Sequence, residues 1–550
     1  MRCNLFKLSA VTATILASFG ANAALYNVYH YAPEGTDIHT YGVAVKPDAS
    51  DCWSATNCND SDATVNSFVI TMETKKNEEG FSYRDESPFL LNKGYYYLDF
   101  DDSPTEDKII DGFTSYCNDY LRYDADYCKD NWAKEQSAGY TLEILDKDYT
   151  NLNSSLSTGS FSISGDNLVV NYIDPTTGKV TGNHRDGDAY RNVAFSDSAL
   201  LSKPSDMSDF RASHAWKRLG NYTVGSISRE NARDPNDSSS KAAVWIGDGN
   251  SATVSEIKWS DGASSSHSNR VVPQGGARDI IHSGDYFAVG YNSTDKELSV
   301  AAVFELGDMS DIANANTKYV TPYTDDEKYA HSILTSVNDN KVAIGSVKYR
   351  VNNNGSYSNS LFYVPDITAG TLSSTPFSGS IFFQSANGKA GAINNLNEVV
   401  GEIDYQQHKE VGSSSPRAKR AFVTVISDKT ISKAPFKNSA YYLDDLTSGS
   451  DALTDNNQYR IINATDINDA SVISGTALFC AGGYDTQAIN STCNGGATGS
   501  EKLVAVKLIP IQGGTIQPRP VDQVKVERQG GSLGWLALGL LALLGFRRKQ

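Results

Sequence analysis

The segment AINNLNEVVGEI, residues 392–403, sets an Ala-Ile pair before an Asn-rich reversal and returns through an alternating run to Gly401. Related arrangements are ARDIIHSGDYFAVGY at 277–291, TSVNDNKVAIGS at 335–346 and ATDINDASVISG at 464–475. SHAWKRLGNYTVGS at 213–226 is a looser copy, and PTTGKVTGN at 175–183 keeps only the closing half. No other feature constrains the fold as strongly, because a repeated hairpin cannot bury its apolar face alone and must stack on its neighbours. Asn and Asp bond to nearby backbone and tolerate left-handed dihedrals, which favours a tight reversal. The alternation Glu398-Val399-Val400-Gly401 then reads as a strand, with the glycine marking a close approach of backbone.

The equivalent glycines are Gly182, Gly225, Gly290, Gly345, Gly401 and Gly475, separated by 43, 65, 55, 56 and 74 residues. Each is followed by a second apolar segment: Val193-Ala194-Phe195, Ala243-Val244-Trp245, Ala302-Val303-Phe304, Leu361-Phe362-Tyr363, Ala421-Phe422-Val423 and, displaced by an insertion, Val504-Ala505-Val506. A four-stranded propeller blade occupies about 40–50 residues, so these intervals fit blades with variable outer loops. The expected fold is all-β, a β-propeller of six or seven irregular blades; His39 to Val45 supplies a candidate strand for the seventh. Tandem β-sandwiches are the alternative. Loss of a repeat glycine is expected to matter most where its backbone needs positive φ.

Both ends carry non-globular signals. Arg2 and Lys7 precede a mostly apolar stretch, Leu8 to Phe19, and Ala21-Asn22-Ala23 is a small-x-small cleavage pattern, so residues 1–23 read as a signal peptide. At the other end, Gly530-Gly531-Ser532-Leu533-Gly534 matches the G-x-S-x-G nucleophile elbow, but only an apolar run and Arg547-Arg548-Lys549 follow, so no triad can be completed downstream. As a helix, Leu533 to Phe546 would reach about 21 Å, short of a hydrocarbon core of about 30 Å. The expectation is a transmembrane segment holding the chain transiently in the inner membrane, cations on the cytoplasmic side.

The repeats resemble the HAF repeats of exported bacterial proteins, and the glycine pair, apolar run and terminal arginines resemble the GlyGly carboxy-terminal sorting signal. Together they look like an uncharacterised Gram-negative family with a propeller-like body. That resemblance implies processing by signal peptidase and an intramembrane rhomboid-type protease, delivery to the cell surface or release through the type II secretion machinery, and no established catalytic residues. The expected organisation is a signal peptide at 1–23, a repeat body at 24–509 with 46–150 as an insertion or cap, a flexible stalk at 510–531 and a sorting tail at 532–550.

With 48 Lys+Arg against 65 Asp+Glu and a net charge of −17, the chain is a poor platform for nucleic acid. A hydrophobic share of 39% and a charged share of 21% argue against wholesale disorder and against a membrane bundle. Cys3 leaves with the signal, and the grouping of the remaining cysteines suggests closures Cys52–Cys58, Cys117–Cys128 and Cys480–Cys493, one of fifteen connectivities that six thiols allow. In CNDYLRYDADYCKDNWAKE, residues 117–135, the aromatic spacing reads as a short helix whose stripe is packing rather than a carbohydrate platform.

Catalytic chemistry finds no motif. His184-Arg185-Asp186-Gly187-Asp188 gathers ionisable groups, and His214, His282, His331 and His408 could meet across a propeller, yet none stands in a metalloprotease pattern. Calcium is a more credible ligand than zinc, through Asp101-Asp102-Ser103-Pro104-Thr105-Glu106-Asp107 and Asp234-Pro235-Asn236-Asp237, though neither has EF-hand spacing. No catalytic, cofactor or metal residue is assigned. The expected role is a binding or structural module for a protein or glycan ligand, with a hydrolase whose groups are dispersed over several blades as the alternative.

Overall fold

The computed structural model describes residues 24–522 except 33–37, most of 55–67, 76–104 apart from Arg84, most of 135–153 and 158–166, and short stretches that include 231–237, 264–271 and 450–453. Its strands form seven sheets. Six carry four or five strands: blades two to six at 168–200, 210–256, 275–321, 329–376 and 388–442, and blade seven at 459–510. Blade one is a three-stranded sheet of His39–Val45, Ile70–Lys75 and Ser154–Ser157. The first strand of each blade packs on the sheet before it, and blade one packs on blade seven, so the sheets close into a ring. Tandem sandwiches would pair sheets two by two; here every sheet has two different neighbours, and the fold is a β-propeller. Tyr26–Tyr31 closes the ring by pairing antiparallel with Glu501–Pro510 at the outer edge of blade seven.

The apolar core is divided into layers between blades. Ile281, Val289 and Val303 of blade four meet Leu334, Ala343 and Phe362 of blade five. Ile344 and Leu361 meet Ala390, Val399 and Phe422 of blade six. Val400 and Val423 meet Ile461, Val504 and Val506 of blade seven, and Ala505 and Ile509 meet Val45, Ile70 and Met72 across the closure. The aromatic-bearing segments read from the sequence are the third strands of their blades, and each of these layers takes residues from them.

The six repeat glycines occupy one structural position, in the second strand of blades two to seven. They lie opposite Val170, Ala215, Ala277, Leu334, Ala390 and Ala464, and in every case the innermost strand bulges at the next residue. The bulge turns the preceding carbonyl onto the glycine. A Cβ would stand 1.9 Å from Val169 O at Gly182, 1.7 Å from His214 O at Gly225, 1.9 Å from Gly276 O at Gly290, 2.0 Å from Ile333 O at Gly345, and 2.4 Å from Lys389 O at Gly401 and from Asn463 O at Gly475. None of the six has positive φ. Steric approach of backbone, as the close-approach reading expected, fixes these positions, and the positive-φ condition is met at none of them. In blade one Met72 takes the place, with Gly42 opposite it.

The Asn-rich reversals join the blades as well as turning the chain. Asn338 Oδ1 accepts from Val342 N, closing its own turn, while its Nδ2 donates to Asn394 O of the next blade at 2.8 Å. Asn394 repeats this, accepting from Leu396 N and Glu398 N and donating to Asn468 O at 2.9 Å. Asn468 donates to Lys46 O of blade one at 3.1 Å. The fourth turn residues Lys341, Asn397 and Ser471 take left-handed backbone, with φ of 67°, 58° and 60°.

Cys52–Cys58, Cys117–Cys128 and Cys480–Cys493 are bonded as the local grouping suggested. The chain between Ile70–Lys75 and Ser154–Ser157 of blade one holds a helix at Glu106–Ser115, capped by Thr105 Oγ1 accepting from Lys108 N, and further helical turns to Trp132. Its apex reaches blades five and six. Arg122 O accepts from Gly412 N, Asp124 N donates to Ser413 O, Tyr123 Oη donates to Glu410, and the Arg122 guanidinium lies 5.5 Å from the Tyr357 ring centroid. Beyond Pro510, Ile511 N donates to Leu25 O, and Arg519, 5% exposed, bonds to Asp444 O, Asn456 O and Gln487 O.

The expectation of a transmembrane segment with inner-membrane anchoring is corrected: among the described residues no helix is long and apolar enough to cross a membrane. Leu533 to Phe546, with the rest of 523–550 and residues 1–23, lies outside the described residues.

Candidate functional site in the central channel

The innermost strands of all seven blades face a central cavity of ≈ 320 Å³. Each bulge places one extra residue on its wall: Asn171, Trp216, Arg278, Thr335, Gly391 and Thr465 in blades two to seven. The following positions, Tyr172, Lys217, Asp279, Ser336, Ala392 and Asp466, line it too. The bulge thus delivers two consecutive side chains per blade to one axis, and the chemistry there is set by positions that the repeat leaves free to vary.

Several of these groups strap one blade to the next. Asn171 Nδ2 donates to Ala215 O. Lys217 Nζ sits 2.6 Å from Asp279 Oδ1. Asp279 Oδ2 accepts from Ser336 Oγ at 2.9 Å and from Val337 N at 3.0 Å, and Ser336 Oγ accepts from Ile393 N. Asp466 accepts from Val45 N at 2.9 Å and from Ile467 N, which ties blade seven to blade one. Both carboxylates are thus committed to backbone N–H groups of the ring.

One sector is aromatic and cationic. The Arg278 guanidinium lies 3.9 Å from the Trp216 ring centroid, the Arg84 guanidinium 5.9 Å from it, and Lys217 Nζ 5.8 Å from the Tyr172 ring. Trp216 Nε1 and Asn171 Oδ1 are buried without a hydrogen-bond partner. Burial, with Lys217 opposing it, pushes the Tyr172 hydroxyl up to about 12. Burial works against the Lys217 charge, but the fields of Asp279 and Tyr172 outweigh it and hold the ammonium above its usual range.

Asp466 is pushed up to about 6 by burial, against the bond from Val45 N and the fields of Arg84 and Lys217. A raised carboxyl binds its proton more tightly when folded. Its contribution to stability is present below about pH 4 and lost as pH rises through about 6. Asp466→Asn should flatten the fall in melting temperature between pH 4 and 6.5, a change of about 2 kcal/mol. An unchanged profile would place the titration elsewhere, with Asp445, also pushed up to about 6 by burial, the first alternative.

The histidines do not meet. His184 lies on the second strand of blade two, His214, His282 and His331 on the first strands of blades three, four and five, and His408 in the loop after Glu398–Asp404; none lines the cavity. His331 is pushed down to about 3 by burial, with Lys348 adding to it. Asp186 pairs with Lys203 at 3.6 Å, outside the channel. Asp101 to Pro104 and Asp234 to Asp237 lie outside the described residues, and among the described residues no three His, Cys, Asp or Glu are grouped to hold a metal ion.

The channel residues stood inside the repeat copies without being singled out. Aligned on the bulge, Ala215-Trp216-Lys217, Ala277-Arg278-Asp279 and Ala464-Thr465-Asp466 share the small first residue and diverge in the next two. That divergence was the available signal.

No curated protein sequence matches the chain. Among solved structures, fructan 1-exohydrolase IIa from Cichorium intybus overlaps at 9% identity and a TM-score of 0.24, covering 54% of this chain and 53% of its own, so the chain spans about half the length of that enzyme. An α-L-arabinofuranosidase from Podospora anserina overlaps at 10% identity and a TM-score of 0.24, covering 56% of this chain and 95% of its own. The α-L-arabinanase of Cellvibrio cellulosa overlaps at 9% identity and a TM-score of 0.23, covering 48% and 92%. At such scores none of them bears on what this chain binds. A family model described as "Protein of unknown function (DUF3466)" matches residues 221–549, a stretch that takes in blades four to seven and most of blade three. The chain belongs to that family, DUF3466.

Proposed function

We propose that the protein is a non-enzymatic binding module whose ligand enters the central channel. The observation that carries this reading is the Trp216 sector: a buried indole N–H without a partner, with Arg278 stacked on the ring, beside a cavity of ≈ 320 Å³. A cavity of this size suits a small ligand or one unit of a glycan. The dispersed-hydrolase alternative needs a carboxylate able to exchange its proton with substrate, whereas Asp279 and Asp466 serve as straps. Arg84 and residues 105–132, from the chain that follows the blade-one strand Ile70–Lys75, act as a cap over one end of the channel, a reading supported by Arg84 at Trp216 and by the docking of residues 122–124 on blades five and six.

The test is a thermal-shift screen of the purified protein against saccharides and short peptides, followed by calorimetry on hits. A hit whose Kd rises at least about tenfold in Trp216→Phe, which keeps the packing and removes the N–H donor, supports the reading. Turnover of any polymer or ester that Asp466→Asn abolishes would replace it with the hydrolase.

A further inference from the structure

We propose that the channel holds a neutral, hydroxyl-rich ligand, a sugar or polyol, whose hydroxyls accept from Trp216 Nε1 and donate to Asn171 Oδ1 and Asn463 Oδ1; this rests on the reading of the channel as a binding site. Each of these three lining side chains carries a polar atom that the fold leaves unmet. Asn171 is 7% exposed, and its Nδ2 donates to Ala215 O of blade three at 2.8 Å. That bond fixes the amide, because the nitrogen must face the carbonyl and the oxygen is then the end left over. Asn171 Oδ1 is buried without a hydrogen-bond partner. Asn463 of blade seven repeats the arrangement: its Nδ2 donates to Glu402 of blade six, and its Oδ1 is likewise buried and unpartnered. Trp216 Nε1 is the unmet donor beside them, one residue past the Ala215 that Asn171 holds.

Whatever fills the cavity shuts these atoms off from water, and each is a penalty unless the ligand supplies its partner. A carboxylate or sulfate brings acceptors alone and leaves both amide oxygens unmet. An ammonium brings donors alone and leaves the indole N–H unmet. A hydroxyl both donates and accepts, so it serves either kind. A peptide group carries one N–H for each carbonyl, whereas every hydroxyl of a sugar plays both parts. Arg278, 3.9 Å from the Trp216 ring centroid, covers a face of the indole and leaves the N–H edge as the part that can meet a ligand. The Tyr172 hydroxyl, held protonated by burial, adds a neutral donor and acceptor next to Asn171. The cavity of ≈ 320 Å³ admits a small scaffold of this kind and not a folded partner.

Charge favours neither sign of ligand. Among the described lining residues Arg84, Lys217, Arg278 and Lys389 stand against Asp48, Asp279, Asp339, Asp466 and Asp469, four cations to five carboxylates. Each of those carboxylates accepts a hydrogen bond within the protein.

The experiment is calorimetric titration of the full chain with neutral trisaccharides of glucose, galactose, mannose and xylose, and with the fully O-methylated form of each that binds. Trigalacturonate, glucosamine trimer and triglycine are the acidic, cationic and peptide controls. At least one neutral trisaccharide should bind, and its O-methylated form, which keeps the acceptors and loses the donors, should bind at least about tenfold more weakly. Salt should change its Kd by less than about twofold. Trp216→Phe, Asn171→Ala and Asn463→Ala should each raise Kd at least about tenfold. Asn171 and Asn463 also tie blades together, so each variant is melted first; the methylation comparison needs no variant and stands if one of them does not fold. Equal binding of the parent and O-methylated sugars, or binding that all three variants keep, would overturn the proposal. Binding of a charged or peptide control alone would overturn the hydroxyl assignment and leave the channel a binding site. Binding of no neutral trisaccharide at millimolar concentration would also overturn it; the channel reading would fall separately, on an empty result from the wider saccharide and peptide screen.

Discussion

Asp279→Ala should destabilise the protein by about 3–5 kcal/mol, the range for removing one member of a buried ion pair. Asp279 is 3% exposed and serves three partners outside its own strand. Its Oδ1 faces Lys217 Nζ of blade three, and its Oδ2 accepts from Ser336 Oγ and Val337 N of blade five. Alanine leaves an ammonium facing the channel without its counter-ion and a buried backbone N–H without an acceptor, at the point where three blades meet. The two losses differ in kind. Asp279→Asn keeps an acceptor for Val337 N and removes only the charge, so it should cost less than alanine. Pairing Asp279→Leu with Lys217→Met removes both charges and should recover a large part of the loss. Urea melts of the four proteins decide the matter. A loss below about 1 kcal/mol for alanine would mean that the strap does not hold the ring, and that blade packing alone does.

What the sequence made legible follows from what repeats. The positions that build a blade recur because the same constraint recurs: Asn338, Asn394 and Asn468 each close a turn and reach the next blade. Phe362 and Phe422 each sit opposite a repeat glycine. Such positions can be aligned by eye and lead to a ring of sheets. The three disulfides were legible for a related reason, since each closes a short local loop.

The channel was hidden because its residues are the ones that do not repeat. Trp216, Arg278 and Thr465 are structurally equivalent, yet no shared chemistry marks them. The straps were hidden too, because Lys217, Asp279 and Ser336 are ordinary polar residues until the bulge brings their blades together. Histidines drew attention as reactive side chains, but His214 is buried on its innermost strand away from the cavity lining, and burial, with Lys348, pushes His331 down to about 3. The closure by Tyr26–Tyr31 could not be read from periodicity, since pairing across more than 470 residues leaves no local trace.

Gly225→Ala should cost about 3 kcal/mol or more, and it tests the steric account of the repeat directly. An added Cβ at Gly225 would stand 1.7 Å from His214 O and 2.8 Å from His214 C, both backbone atoms of the innermost strand. Neither can swing aside as a flexible side chain could, so the strand must move. That strand carries Trp216 and Lys217, one and two residues past the bulge partner Ala215. The substitution should therefore lower stability and also shift the channel wall, weakening any channel ligand in the fraction that remains folded. Gly220→Ala supplies the contrast. Gly220 has φ of 59° and nothing within 4 Å of an added Cβ, so its cost comes from the dihedral alone, about 1 kcal/mol. If Gly225→Ala melts within about 2 °C of the parent, or if Gly220→Ala proves the more damaging of the two, close backbone approach is not what keeps glycine in the repeat.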